Sequence, residues 1–334
     1  MKRIILLFTV ASTLTFSSCQ RAIVGQDGWS SDPMTNFDYI WTECDEKYSY
    51  FDLKEVDWNQ MYIDYSAKIY PEMSEDSLFH LLGGLLTELK DDHTNLITPF
   101  NISRYGVKYN SQDNYDYRIV LENYLSDPYR TGPFTTDFLA GDSIGYIRFS
   151  SFTGSVGSEN IDYILEKFQD TEGIILDLRE NGGGAVSDVF ALMSRFLDST
   201  RTVFHSRIKS GPGHNEFSAA EAAVLNPVTG AYTKKVALLT DRGTYSAGSF
   251  TSLGMKAIPH IRQIGDTTGG GLGVPNGGQL PNGWTYRFSI TQSLDLNLDP
   301  QWEQGVPPDT TVLFDWNDRE TDEILEAAMD WITE

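Results

Sequence analysis

A serine can attack an acyl carbon when its Oγ is exposed, its neighbours are small enough to admit a carbonyl, and a backbone N–H beside it can hold the developing oxyanion. Ser246 in DRGTYSAGSF (Asp241 to Phe250) meets these needs: the apolar run Val236 to Thr240 and a turn at Asp241-Arg242-Gly243 precede it, and Ala247 and Gly248 follow. The position also suits an ordinary helix N-cap, whose hydroxyl accepts from an N–H two or three residues on. A second candidate is GIILDLRENGGGAVSDVF, where a buried strand runs through Asn181-Gly182-Gly183-Gly184 into a helix. Three successive glycines take every Cβ out of the turn, and N–H groups at a helix N-terminus suit a phosphate or an oxyanion. The motif lacks the GKS or GKT ending of a P-loop and the full GxGxxG of a dinucleotide fold, so a tight strand-to-helix connection also accounts for it.

A nucleophilic serine needs a base, and the chain holds five histidines. His80 lies within a leucine-rich helix, His205 alternates along a strand, His214 sits in a Gly-Pro-Gly loop and His260 follows Pro259. His93, in LKDDHTNLITP, comes where a helix gives way to an extended segment, and loops held by rigid elements commonly carry catalytic groups. It stands 153 residues before Ser246 (246 minus 93), so only the fold can join them.

The elements that must do the positioning are legible in the periodicity. Phe37, Ile40, Trp41, Cys44 and Tyr48 mark one helical face; Trp58, Met61, Tyr62, Tyr65 and Ile69 mark a second after the cap Asp57. Ser74 caps a third, with Leu78, Leu81, Leu82, Leu85, Leu86 and Leu89 as its stripe. Residues 37–100 are therefore expected to form an N-terminal helical domain, 101–145 connecting strands and loops, and 146–334 an α/β core of alternating strands and helices.

The formal charge of −22 opposes nucleic acid or an anionic membrane surface as a partner. The only cysteines are Cys19 and Cys44, too few for a disulfide framework or a cysteine zinc site. Lys2 and Arg3, the apolar stretch Ile4 to Phe16, and Phe16-Ser17-Ser18-Cys19 read as a bacterial lipoprotein leader over residues 1–19. Cys19 is then the lipidated N-terminus, residues 20–36 a tether, and the mature protein an exported, membrane-anchored lipoprotein facing the periplasm or cell surface of a Gram-negative bacterium. An ordinary secretory leader with an incidental cysteine is the alternative.

In chain order, LKDDHTNL, DLRENGGG, YSAGS, IGDTTGGG and WEQGVPPD together resemble the C-terminal processing family of serine peptidases, and within it the tricorn-core-like branch. The resemblance covers roughly Phe37 to the end. It implies a crotonase-like and ClpP-like ββα superhelix core, Ser246 as nucleophile, His93 as general base, and Glu303 as the acid supporting the site through an intervening hydroxyl. It further implies an oxyanion hole from Ala247 and Gly183, with Gly182 as its neighbour, a peptide or unfolded protein as substrate, and no cofactor or metal. Two departures stand out. Asp266 to Gly273 has no lysine where many relatives carry a catalytic one, and Lys256, ten residues after Ser246 on the same helix, is poorly placed to replace it. The roughly 45 residues from Phe100 to Gly145 are too few for a PDZ domain. A silent peptide-binding protein on the same fold is the competing reading; an acyl-thioester enzyme fits export poorly.

Overall fold

The computed structural model describes residues 28–334. The leader and Cys19 lie outside the described residues. Asp32 caps helix α1 (Pro33–Lys47) by accepting from Thr35 N–H at 2.8 Å, with Pro33 in the first turn, where a missing N–H is harmless. The stretch read as a tether to Asn36 is thus already helical from Pro33, and Asn36 is buried, its Nδ2 donating to the carbonyls of Ser30 (3.0 Å) and Asp32 (2.8 Å). After a short α2 (Phe51–Lys54), Asp57 caps α3 (Trp58–Ser66) and Ser74 caps α4 (Glu75–Thr87).

These helices do not close their own core. Phe37, Ile40, Trp58, Leu82 and Leu86 pack with Leu280, Trp284, Tyr286 and Phe288, which lie near the other end of the sequence. The latter belong to or flank a small antiparallel sheet of β1 (Asn95–Ile97), β11 (Thr285–Ser289) and β10 (Pro275–Gln279), in the order β1-β11-β10. The helical segment expected over 37–100 is therefore packed onto the α/β core rather than independent of it, because its apolar faces need that sheet to leave water.

The main sheet has seven strands in the order β13-β9-β8-β5-β4-β3-β2. Its ranges are β2 (Tyr129–Thr131), β3 (Phe134–Leu139), β4 (Ile144–Arg148), β5 (Gly173–Asp177), β8 (Lys235–Thr240), β9 (Ile261–Gly265) and β13 (Thr310–Thr311). The segment 101–145 thus adds two antiparallel strands to this sheet, after the short α5 (Tyr117–Ile119), while β4, β5, β8, β9 and β13 run parallel. The outcome is a mixed α/β fold. Burial on both faces explains why GIILD and VALLT are almost wholly apolar. Ile174, Leu176, Val236 and Leu238 pack under α6 (Ser158–Lys167), α7 (Val186–Ser194) and α8 (Ala247–Met255). Ile175, Ala237 and Leu239 face α9 (Glu323–Thr333) instead. Each fully buried Leu or Ile here contributes about 1.5–3 kcal/mol. A third sheet, ordered β12-β6-β7, joins β12 (Thr291–Leu294), β6 (Arg201–Ile208) and β7 (Glu221–Leu225). Among the described residues no helix is long and apolar enough to cross a membrane.

Candidate active site

β8 ends at Thr240, the chain turns, and α8 begins at Ala247, leaving Ser246 at the helix mouth. Ser246 does not cap that helix with its side chain. Its backbone stands at φ 53° and ψ −118°, a conformation costly for a residue with a Cβ and found mainly where surrounding contacts impose it. Those contacts are its N–H donating to Gly270 O at 3.0 Å and its carbonyl accepting from Phe250 N–H at 2.8 Å. The Oγ is thereby free to meet His93, whose Nε2 lies 2.9 Å away. His93 is held between α4 and β1, and β1 pairs with β11 in the register Asn95↔Arg287.

Two buried carboxylates stand behind the pair. Asp91 Oδ1 accepts from the His93 backbone N–H (2.8 Å) and from the Tyr245 hydroxyl (3.1 Å); Oδ2 accepts from Ser289 Oγ (2.9 Å) and the Tyr48 hydroxyl (3.3 Å). One carboxylate thus ties the base, the residue before the nucleophile, β11 and α1's exit together. Burial alone would raise its pKa, yet Lys54, His93 and these hydrogen bonds hold it below the ordinary value. Tyr245, without a role on sequence grounds, is the other half of this hub, its ring edge-on to the His93 imidazole at 5.1 Å.

Glu303 enters from a 3-10 turn (Gln301–Gln304) and is also buried. The Tyr50 hydroxyl lies beside it. Glu303 Oε2 accepts from the backbone N–H groups of Leu272 (2.6 Å) and Gly273 (3.0 Å), and Oε1 lies 3.6 Å from Lys54 Nζ. Burial lifts its pKa to about 7 against the pull of Lys54, with Asp91 adding to the rise. The Gly273 backbone it grips is in turn close enough to His93 to favour the charged ring. Burial nonetheless dominates and sets the His93 pKa below its ordinary value, with Asp91 opposing and Arg287 reinforcing the shift.

The glycine turn arrives from β5 and closes against the serine. A Cβ on Gly183 would lie 2.7 Å from the Ser246 Cβ, and its φ is +95°, so both space and backbone demand glycine. Gly183 N–H, expected to face an oxyanion, donates instead to Asn181 Oδ1 at 2.9 Å. Gly182, exposed beside it, has an N–H with no hydrogen-bond partner among the described residues, and the same holds for Ala247 N–H at the first turn of α8. A cleft of about 730 Å³ opens over His93, Ser246, Gly182 and Val274.

This geometry can be set beside known proteins. Residues 143–312 match peptidase family S41, and residues 31–87 match the tricorn protease C1 domain. The chain belongs to peptidase family S41. A crystal structure of a protein assigned as a peptidase, from Parabacteroides merdae ATCC 43184, is similar at 36% identity and a TM-score of 0.86, covering 91% of this chain and 98% of that one. The carboxy-terminal processing protease CtpA of Bacillus subtilis (strain 168) is 27% identical over 171 residues, 50% of this chain and 34% of its own, so this chain spans about a third of that relative's length. The tricorn protease structure shares the fold at a TM-score of 0.52 and 13% identity, over 90% of this chain and 36% of that one.

Within this S41 chain the other histidines stay away from the serine. His80 lies near Asp76 on an exposed face, and His214 stacks on Phe51 with its Nε2 2.9 Å from Asp45 Oδ1. Lys256 pairs with Asp309 at 3.0 Å. Sequence reading missed Asp91 and Lys54. Both stand in or beside local signals of another kind, Asp91 as one more acid after a helix and Lys54 in a four-residue helix, and neither spacing points at Ser246.

Proposed function

We propose that the protein is an exported serine endopeptidase, lipid-anchored through Cys19, that hydrolyses peptide bonds of peptide or unfolded protein substrates by a Ser-His-acid mechanism. The observation that carries this reading is the 2.9 Å approach of His93 Nε2 to the Oγ of a backbone-strained Ser246. His93 takes the hydroxyl proton as Oγ attacks the carbonyl carbon, then returns it to the leaving amine. Ala247 N–H and, in place of the engaged Gly183, Gly182 N–H receive the oxyanion, a pair of donors worth about 3 kcal/mol each in the transition state. Asp91 is the carboxylate that stabilises the imidazolium and fixes the segment carrying it, and Glu303 acts through the Leu272 and Gly273 backbone. The chemistry calls for no cofactor. Membrane attachment and export rest on the leader residues Lys2, Arg3 and Ser17-Ser18-Cys19.

The test is labelling of the mature protein with a fluorophosphonate. Wild type labels, Ser246→Ala does not, and wild type degrades a permanently unfolded protein. An unlabelled, inert wild type would leave the silent peptide-binding reading.

The pH profile follows from the site. Neutral His93 is the active form, so kcat/KM rises with pH through its pKa, and the acid limb has its midpoint below 6.5. Asp91→Asn keeps an acceptor but removes the charge that opposes this lowering, and moves the limb further toward acid. Glu303→Gln, removing the group held at about 7, separates its titration from that of His93. A limb that stays put or moves to higher pH in Asp91→Asn contradicts the assignment.

A further inference from the structure

Among the described residues, the buried carboxylates Asp91 and Glu303 make one salt bridge between them, from Glu303 Oε1 to Lys54 Nζ at 3.6 Å. The Lys54 side chain is only 4% exposed, a placement lysine takes when it is paired. It lines not the catalytic cleft but a second cavity of about 490 Å³, shared with Asp91 and Glu303, and Tyr245 lines both.

Helix α2 delivers this ammonium. Phe51 roots the helix against Tyr48 and Trp58, and Leu53 O accepts from Gln304 Nε2 at 3.2 Å, which ties α2 to the turn carrying Glu303. Lys54 Nζ then donates at 3.0 Å to Lys90 O, the carbonyl immediately before Asp91. The backbone is left-handed on both sides of this contact without glycine: Glu55, next to Lys54, has φ 53° and Lys90 has φ 49°. Such strain persists only where surrounding contacts over-determine it, and it gathers at functional sites.

The base feels the result. Asp91 holds the His93 backbone, and Glu303, a second buried carboxylate, repels it. Lys54 opposes that repulsion from α2 while its hydrogen bond fixes the peptide leading into Asp91. The other groups around this charge cluster are Arg287 of β11 and Tyr245, facing His93, and Tyr48 and Tyr50, facing the carboxylates.

We infer that Lys54 is a positioning residue for the reaction: bridging Lys90 O and Glu303, it fixes the Asp91 carboxylate behind His93 without touching substrate. This inference rests on the peptidase reading and adds to it a residue outside the Ser-His-acid set.

The test is a pH profile of three variants. Ionised Asp91 with neutral His93 is the most negative state of that pair, so removing a nearby positive charge makes it harder to reach, whichever of the two takes the proton. Lys54→Met is therefore expected to lower kcat about tenfold or more with KM within about twofold. Its acid limb, read in kcat/KM or in the rate of fluorophosphonate labelling, moves to higher pH, opposite to the shift expected of Asp91→Asn. Lys54→Arg keeps the charge, has room in the cavity, and restores the position of the limb and part of kcat. If Lys54→Met does not fold, Glu303→Gln and Lys54→Met/Glu303→Gln take its place, because the double variant leaves no carboxylate of this ion pair unpaired. The same displacement of the limb is expected between those two. A Lys54→Met that melts earlier but keeps kcat and the wild-type limb while folded, or a limb that moves toward acid, overturns the inference while the peptidase reading stands. A wild type that neither labels nor cleaves overturns both.

Discussion

Ser246→Ala is expected to lower kcat/KM on an unfolded protein or a peptide by about 10⁴-fold or more, and His93→Ala alone to cost a similar factor. The reason is that neither side chain does chemistry without the other: at 2.9 Å the imidazole is useful only if there is a hydroxyl to deprotonate, and the hydroxyl is a poor nucleophile without it. The double variant Ser246→Ala/His93→Ala is therefore expected to be no worse than either single one, with the residue of activity coming from the Ala247 and Gly182 donors and from binding. Steady-state kinetics with the three variants decide this. Factors that multiply in the double variant would mean the two side chains act separately, and retention of more than about 1% activity in Ser246→Ala would point to another nucleophile. The comparison is clean because the contacts that impose the Ser246 backbone, its N–H donating to Gly270 O and its carbonyl accepting from Phe250 N–H, are main-chain and survive truncation.

Arg179→Met is expected to destabilise the fold by about 3–5 kcal/mol, the cost of leaving buried charges without their partner. Arg179 is fully buried. Its Nε and Nη2 donate to Asp177 at 2.9 and 2.7 Å, and Nη1 donates to both oxygens of Asp322 at 2.9 and 2.8 Å. Asp177 also accepts from the Tyr146 hydroxyl, and Asp322 caps α9 by accepting from Leu325 N–H at 3.0 Å. The guanidinium, packed 4.1 Å from the Tyr115 ring, therefore clamps the closing helix to the strand end from which Asn181 to Gly184 departs. Burial would lower its pKa, but the two carboxylates raise it well above the usual arginine value, so it stays charged. Urea denaturation followed by circular dichroism measures the loss. A shift under about 1 kcal/mol would show that water or rearrangement satisfies the two aspartates. Because the turn hangs from this clamp, activity is expected to fall at temperatures where the variant is still folded.

The helices and strands were largely legible because their signal is local. Ser74 followed by a leucine every three or four residues needs a helix with one buried face, and α4 has it. GIILD and VALLT need burial on both faces, and the mixed sheet supplies it. The boundaries between units were less so. Residues 37–100 carry helical periodicity, but Trp284, Tyr286 and Phe288 complete their core, and a cluster joining residues some 200 apart leaves no periodic trace in either segment.

For the site, residue type and spacing singled out Ser246, the glycine turn and His93, and the family resemblance added Glu303. What no local pattern could rank was which acid stands with the base. Asp91 and Asp92 are adjacent, yet one is buried at the junction of four elements while the other pins the Gly106 and Val107 backbone. Nor could it choose between the N–H groups of Gly183 and Gly182, because Asn181 folds back onto the first and leaves the second open. Sequence alone determined the elements, their order and the candidate nucleophile and base, because propensity, periodicity and glycine's freedom act within a few residues. The tertiary structure decided that 153 residues of separation become 2.9 Å, which carboxylate is buried behind the ring, and which N–H remains open, because those outcomes depend on contacts and dielectric set by distant parts of the chain.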